Sequence, residues 1–139
     1  MNNNSMLTEN RIVDYVSIYL QENGYKIQKT SKTTEKGIDI EASHPEKGKC
    51  FVEAKGATSS KKGSKRHGKP FSRNQIKTHV GVALLKSFQI KQEHENSNVF
   101  IAVPHEENHI EIYDTIKNCL KKLNIKFLFV NHDGSIVEE

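Results

Sequence analysis

Apolar residues fall at helical spacing in three stretches of the chain and at strand spacing in five others. Ile12, Val16, Tyr19 and Leu20 make one face of a first helix, with Thr8 as its N-cap, Glu9 in its first turn and Gly24 as its stop. Strands are predicted at 25–30, 37–43 and 50–55, and residues 44–49, containing Pro45 and Gly48, form the turn between the second and third. The second alternates, with Ile38, Ile40 and Ala42 on one face and Asp39 and Glu41 on the other. Ser72 opens a second helix with Gln75 placed for a capping box, and Ile76, Val80, Ala83, Leu84 and Phe88 are its expected inner face. A buried strand at 98–103 ends at Pro104. A third helix over 109–123 turns Ile112, Ile116, Cys119, Leu120 and Leu123 inward and stops at Asn124. A strong strand at 126–130 and a short one at 135–137 complete the chain.

The order is α-β-β-β-α-β-α-β, which predicts one α/β domain over residues 1–139 with a mixed central sheet flanked by helices. Leu, Ile, Val and Phe make up about a quarter of the chain, enough for a modest core. No apolar run approaches the ~18 residues of a membrane span, and Cys50 and Cys119 form no disulfide framework. Both cysteines are read as buried apolar groups, and the chain as a cytoplasmic domain without a membrane partner.

Charge changes the picture. The net charge is +4, yet residues 56–92 hold seven lysines, two arginines and no acid, leaving −5 for the rest. Within this block, residues 56–70 are rich in Gly, Ser, Thr and Lys and read as a long mobile basic loop, while residues 1–6 read as a disordered tail. The run from Gly63 to Lys69 fits GxxxxGK, but Pro70 follows where Ser or Thr should bind Mg²⁺, and no apolar strand leads in.

Asp39 in GIDIEA, and Glu53 and Lys55 in FVEAKG, stand immediately before the basic block. Glu53 and Lys55 share a strand face, and Asp39 joins them if paired residue numbers sum to an even value, for example Asp39 with Lys55. Two carboxylates and a lysine on a half-buried face are expensive to desolvate, and a hard divalent cation such as Mg²⁺ or Mn²⁺ compensates. Glu9 projects from the buried side of the first helix at its open end and can complete the cluster. The alternative for the three strand residues is a cross-strand ladder of ion pairs. For Glu9 it is dipole complementarity, and for Gln75 the capping box.

At these residues the sequence resembles the PD-(D/E)xK nuclease superfamily, with its restriction-endonuclease-like fold. The family pattern of a helical Glu, a strand Asp and then (D/E)-x-K on the next hairpin strand falls on Glu9, Asp39, Glu53 and Lys55, with Ala54 as x. Ile38 replaces the name-giving Pro, and Glu41, on the face of Asp39, is a competing acid. The resemblance implies a metal-dependent phosphodiesterase in which Asp39, Glu53 and the Ala54 backbone carbonyl hold Mg²⁺ or Mn²⁺. Lys55 would orient the attacking water or stabilise the transition state, with Gln75 on the following helix as an accessory catalytic group. The expected substrate is nucleic acid, DNA before RNA, held by Lys61, Lys62, Lys65, Arg66, Lys69, Arg73 and Lys77. The small core suggests a homodimer or a partner subunit. Open alternatives are an RNA-directed nuclease and a nuclease-fold module that binds nucleic acid or protein without cutting.

Overall fold

The computed structural model describes residues 6–31, 37–58 and 70–139. Residues 1–5 of the tail predicted over 1–6, residues 59–69 of the basic loop and the GxxxxGK run therefore lie outside the described residues. Helix α1 (Glu9–Glu22) is followed by β1 (Lys26–Thr30), β2 (Ile40–His44) and β3 (Gly48–Ala54). Helix α2 (Arg73–Glu93), β4 (Asn98–Pro104), α3 (Glu107–Leu123), β5 (Ile125–Val130) and β6 (Ile136–Glu138) complete the chain. This is the α/β order expected, including the short terminal strand.

The six strands form one sheet in sequential order β1 to β6. β1, β2 and β3 are antiparallel; β3, β4 and β5 are parallel and linked through α2 and α3; β6 returns antiparallel at the edge. Parallel neighbours need crossover connections, and two helices supply them. The sheet divides the core by residue parity. Ile40, Ala42, Cys50, Val52, Ala54, Phe100, Ala102, Leu128 and Val130 pack with Ile12, Val13, Val16 and Leu20 of α1. Phe51, Val99, Ile101, Val103, Phe127 and Phe129 pack with Ile76, Val80, Ala83 and Ile90 of α2 and Leu120 of α3. Each fully buried large side chain removes enough apolar area to stabilise the fold by roughly 1.5–3 kcal/mol.

Local signals act as expected at the helix ends. Thr8 Oγ1 accepts from the Arg11 amide at 3.2 Å, and Asn124 adopts a left-handed conformation (φ 55°, ψ 44°) that ends α3. Several inward assignments change. On α2 the buried line is Ile76, Val80, Ala83, Ser87 and Ile90, while Phe88 is 45% exposed. Apolar residues occur around much of this helix, so spacing alone does not choose its inner face; contact with β3 and β4 does. On α3, which packs against β5 and α2, Leu120 is buried, whereas Leu123 and Cys119 are exposed. Ile38 leaves the face of Ile40 and Ala42 and packs in the α2-side core, because β2 begins only at Ile40.

Candidate functional site

The hairpin register decides where the acids meet. β2 and β3 pair Ile40 with Val52 and Ala42 with Cys50, so the sum is even, two less than the Asp39–Lys55 example. Continuing that register by one residue sets Asp39 opposite Glu53. The β2–β3 ladder stops at Ile40 and Val52, before it reaches the Ala54 amide, and the Asp39 carboxylate takes over: Oδ2 accepts from the Ala54 N–H at 2.7 Å. The Asp39 carbonyl meanwhile accepts from the Ser31 amide at 2.8 Å. Side chain and backbone are thus both anchored. Burial raises the Asp39 carboxyl above the usual range, opposed by the Ala54 hydrogen bond, by Lys55 and Lys86, and by its side-chain interaction with Glu53.

Glu53 falls on the α2 side of the sheet by the same parity as Phe51 and is 1% exposed. Among the described residues its Oε1 has no hydrogen-bond partner, and its Oε2 lies 3.7 Å from the Lys86 ammonium. Burial first, then the neighbouring Asp39 charge, pushes the Glu53 carboxyl up to about 7, with Lys86 and Lys55 pulling the other way. An orphaned carboxylate oxygen in a dry site is costly to leave unmatched. It is the kind of group a cation or a proton satisfies.

Lys55 follows the end of β3, its amide donating to the Ala102 carbonyl at 2.9 Å. The chain then runs alongside the start of α1: the Ala57 amide donates to the Leu7 carbonyl at 2.7 Å, and Thr8 and Thr58 form a parallel bridge. Gly56 makes this approach possible. A Cβ there would stand 2.5 Å from the Glu9 nitrogen and 2.8 Å from the Thr8 carbonyl carbon, both backbone atoms that cannot yield. The approach brings the first turn of α1, packed on the other side of the sheet, into the same electrostatic neighbourhood. The Glu9 carboxyl is pushed up to about 7 by burial and then by Asp39, and is pulled down by Lys55 and Lys86.

The other nominated residues lie differently. Gln75 is engaged in the capping box: its Oε1 accepts from the Ser72 amide at 2.7 Å, and the Gln75 amide donates to Ser72 Oγ at 3.3 Å. Arg73 pairs with Glu111 of α3 at 2.6 Å, and Lys77 lines the same α2–α3 cleft. Lys61, Lys62, Lys65, Arg66 and Lys69 lie outside the described residues. Glu41 lies in β2, paired opposite Phe51, two residues after Asp39 in the chain.

A family model described as restriction endonuclease, Mrr_cat, matches residues 5–89, which span α1, the hairpin and most of α2. The chain belongs to this restriction endonuclease family. No curated protein matches it. Among solved structures, an XisH family protein from Nostoc punctiforme PCC 73102 has 18% identity and a TM-score of 0.53, covering 91% of this chain and 95% of its own. An fdxN element excision controlling factor protein from Anabaena variabilis has 19% identity and a TM-score of 0.51, covering 89% and 93%. Both share the fold.

The restriction endonuclease match contains every residue of the acidic site and also Lys86, which reading the sequence missed. The available signal was weak: Lys86 lies between Ala83 and Ile90, both buried, on the helix that covers Glu53. Among the described residues, no group of three or more His, Cys, Asp or Glu side chains is placed to hold a metal ion. The carboxylate pair and the free Glu53 Oε1 nevertheless suit a small hard cation, since Mg²⁺ is commonly bound through one or two carboxylates and keeps several waters. Among the described residues, no helix is long and apolar enough to cross a membrane.

Proposed function

We propose that this restriction endonuclease family member is a Mg²⁺- or Mn²⁺-dependent endonuclease that hydrolyses phosphodiester bonds in DNA. The observation that carries the reading is the side-chain interaction of Asp39 with Glu53 across the open end of the hairpin, with one buried Glu53 oxygen left without a partner among the described residues. A salt-bridge ladder on a solvated sheet face would not put Glu53 at 1% exposure. Asp39 and Glu53 are the residues that would hold the ion, with the Ala54 carbonyl as a further donor. When bound, the ion would act as a Lewis acid on the phosphate. Lys55, at the end of β3, orients the attacking water or offsets charge developing on the phosphoryl oxygens. Glu9 adds negative charge from the opposite wall and helps draw in a cation. Basic residues beyond Lys55, with Arg73 and Lys77 at the start of α2, hold the nucleic-acid backbone without reading its sequence.

The test is cleavage of plasmid, linear, branched and single-stranded DNA, and of RNA, with Mg²⁺, Mn²⁺ or EDTA. The expected result is metal-dependent cutting of DNA that Glu53→Gln abolishes. Binding without cutting under every condition would replace the enzyme with a binding module, and cutting of RNA alone would replace its substrate.

A further inference from the structure

We propose that Lys86 is a second catalytic lysine, which reaches the scissile phosphate from helix α2 while Lys55 reaches it from just past the end of β3. The inference rests on the nuclease reading above and adds a residue to that site. The Lys86 ammonium makes two long contacts, 3.7 Å to Glu53 Oε2 and 3.4 Å to the Gly37 carbonyl, and its side chain is 43% exposed. An ammonium has three donors, and neither contact has the length of a strong charge-assisted hydrogen bond. Lys91, five residues further along the same helix, shows the contrast: its Nζ donates to the Ser97 carbonyl at 2.6 Å and is committed to closing the α2–β4 connection.

Position supports the same conclusion. Lys86 stands between Ala83 and Ile90 on the edge of the buried line of α2, and its ammonium lies beside Glu53. Lys55 and Lys86 both act on Glu9, Asp39 and Glu53, from different elements of the fold. A phosphate drawn to a cation at the carboxylate pair would therefore lie in the field of both ammonium groups, with Lys86 beside Glu53. Charge builds on the non-bridging oxygens as the water attacks, so a loosely held donor at this place acts more on the transition state than on the bound substrate.

The experiment compares wild type, Lys86→Met, Lys86→Arg and Glu53→Gln on the DNA substrate that wild type cuts, and measures Mn²⁺ binding to each protein alone by calorimetry. Lys86→Met should lower kcat about 100-fold or more. KM should stay within roughly threefold, and Mn²⁺ should bind as tightly as in wild type or more tightly. Lys86→Arg, which keeps the charge, should recover most of the rate. A Lys86→Met enzyme with wild-type kcat overturns the proposal while leaving the nuclease reading intact, provided Glu53→Gln is inactive. Weakened Mn²⁺ binding with unchanged kcat at saturating metal also overturns it, because the residue would then act only through the carboxylates. If Lys86→Met does not fold, Lys86→Gln is judged by the same criteria. A wild type that cuts nothing removes both proposals.

Discussion

The Asp39 carboxylate accepts the Ala54 amide proton at 2.7 Å, so one side chain both ends the β2–β3 ladder and stands opposite Glu53. Structure and proposed chemistry therefore compete for the same group, and substitutions can separate them. Asp39→Ala leaves a buried amide unpaired and should cost roughly 1–3 kcal/mol in urea unfolding as well as abolishing cleavage. Asp39→Asn retains an oxygen that can accept the bond. It should keep most of the stability and still be inactive. Equal loss of stability in both variants would show that the Ala54 contact contributes little.

Glu9 and Glu53 should make stability and metal binding respond oppositely to pH. Both carboxyls lie near 7 in the folded chain, against 4.5 for the free side chain. Between those values the folded state holds more protons than the unfolded state, so stability falls as pH rises through the window. The metal-free protein should be more stable near pH 5 than near pH 8. Mn²⁺ affinity should rise over the same interval, because the ligands must be ionised. Glu53→Gln should flatten the stability profile; an unchanged slope in thermal melts across that range would contradict the assignment.

Gly56→Ala should damage the site more than the fold. The new Cβ meets backbone at Glu9 and Thr8, so the strand-like segment after Lys55 must move away from α1. A loss of roughly 1–3 kcal/mol is expected, together with a fall in cleavage rate that adding back stability, for example with osmolyte, does not recover. Thr8→Ala removes the N-cap at a cost of about 1 kcal/mol and serves as the control, since it leaves the spacing unchanged. Matching kinetics in the two variants would show that Gly56 has no role in placing Glu9.

Gln75→Ala tests a residue nominated for chemistry that the fold uses as a cap. Its side chain accepts from the Ser72 amide, and that bond should be worth on the order of 1 kcal/mol to α2. Cleavage kcat should remain within roughly threefold of wild type when measured well below the melting temperature. A drop of two orders of magnitude would return Gln75 to the catalytic set.

Much of this protein was legible in residue order. Thr8, Gly24, Ser72 and Asn124 are local signals whose effect depends on a few neighbouring backbone groups, and helix ends were read closely from them. The alternation of Ile40, Ala42, Cys50, Val52 and Ala54 fixed which faces of the hairpin are apolar, because strand periodicity survives in any sheet, although it ends before Ile38 and Lys55. Sequence could not choose the exact pairing, since a two-residue change in register preserves every face; the turn geometry around Pro45 to Gly48 chose it. Nor could it place Phe88, Cys119 and Leu123, whose exposure depends on which side of each helix the sheet covers.

The sequence by itself determined the elements and their order, because these rest on periodicity and short-range hydrogen bonding. Only the tertiary structure decided that Glu53 is buried beneath α2, that Lys86 is its counterion, and that Gly56 lets Glu9 approach from the opposite layer. Each of those relationships joins residues distant in sequence or on different faces of the sheet. Packing of α1 and α2 against the two faces brings them together, and no local pattern records the distance between the layers.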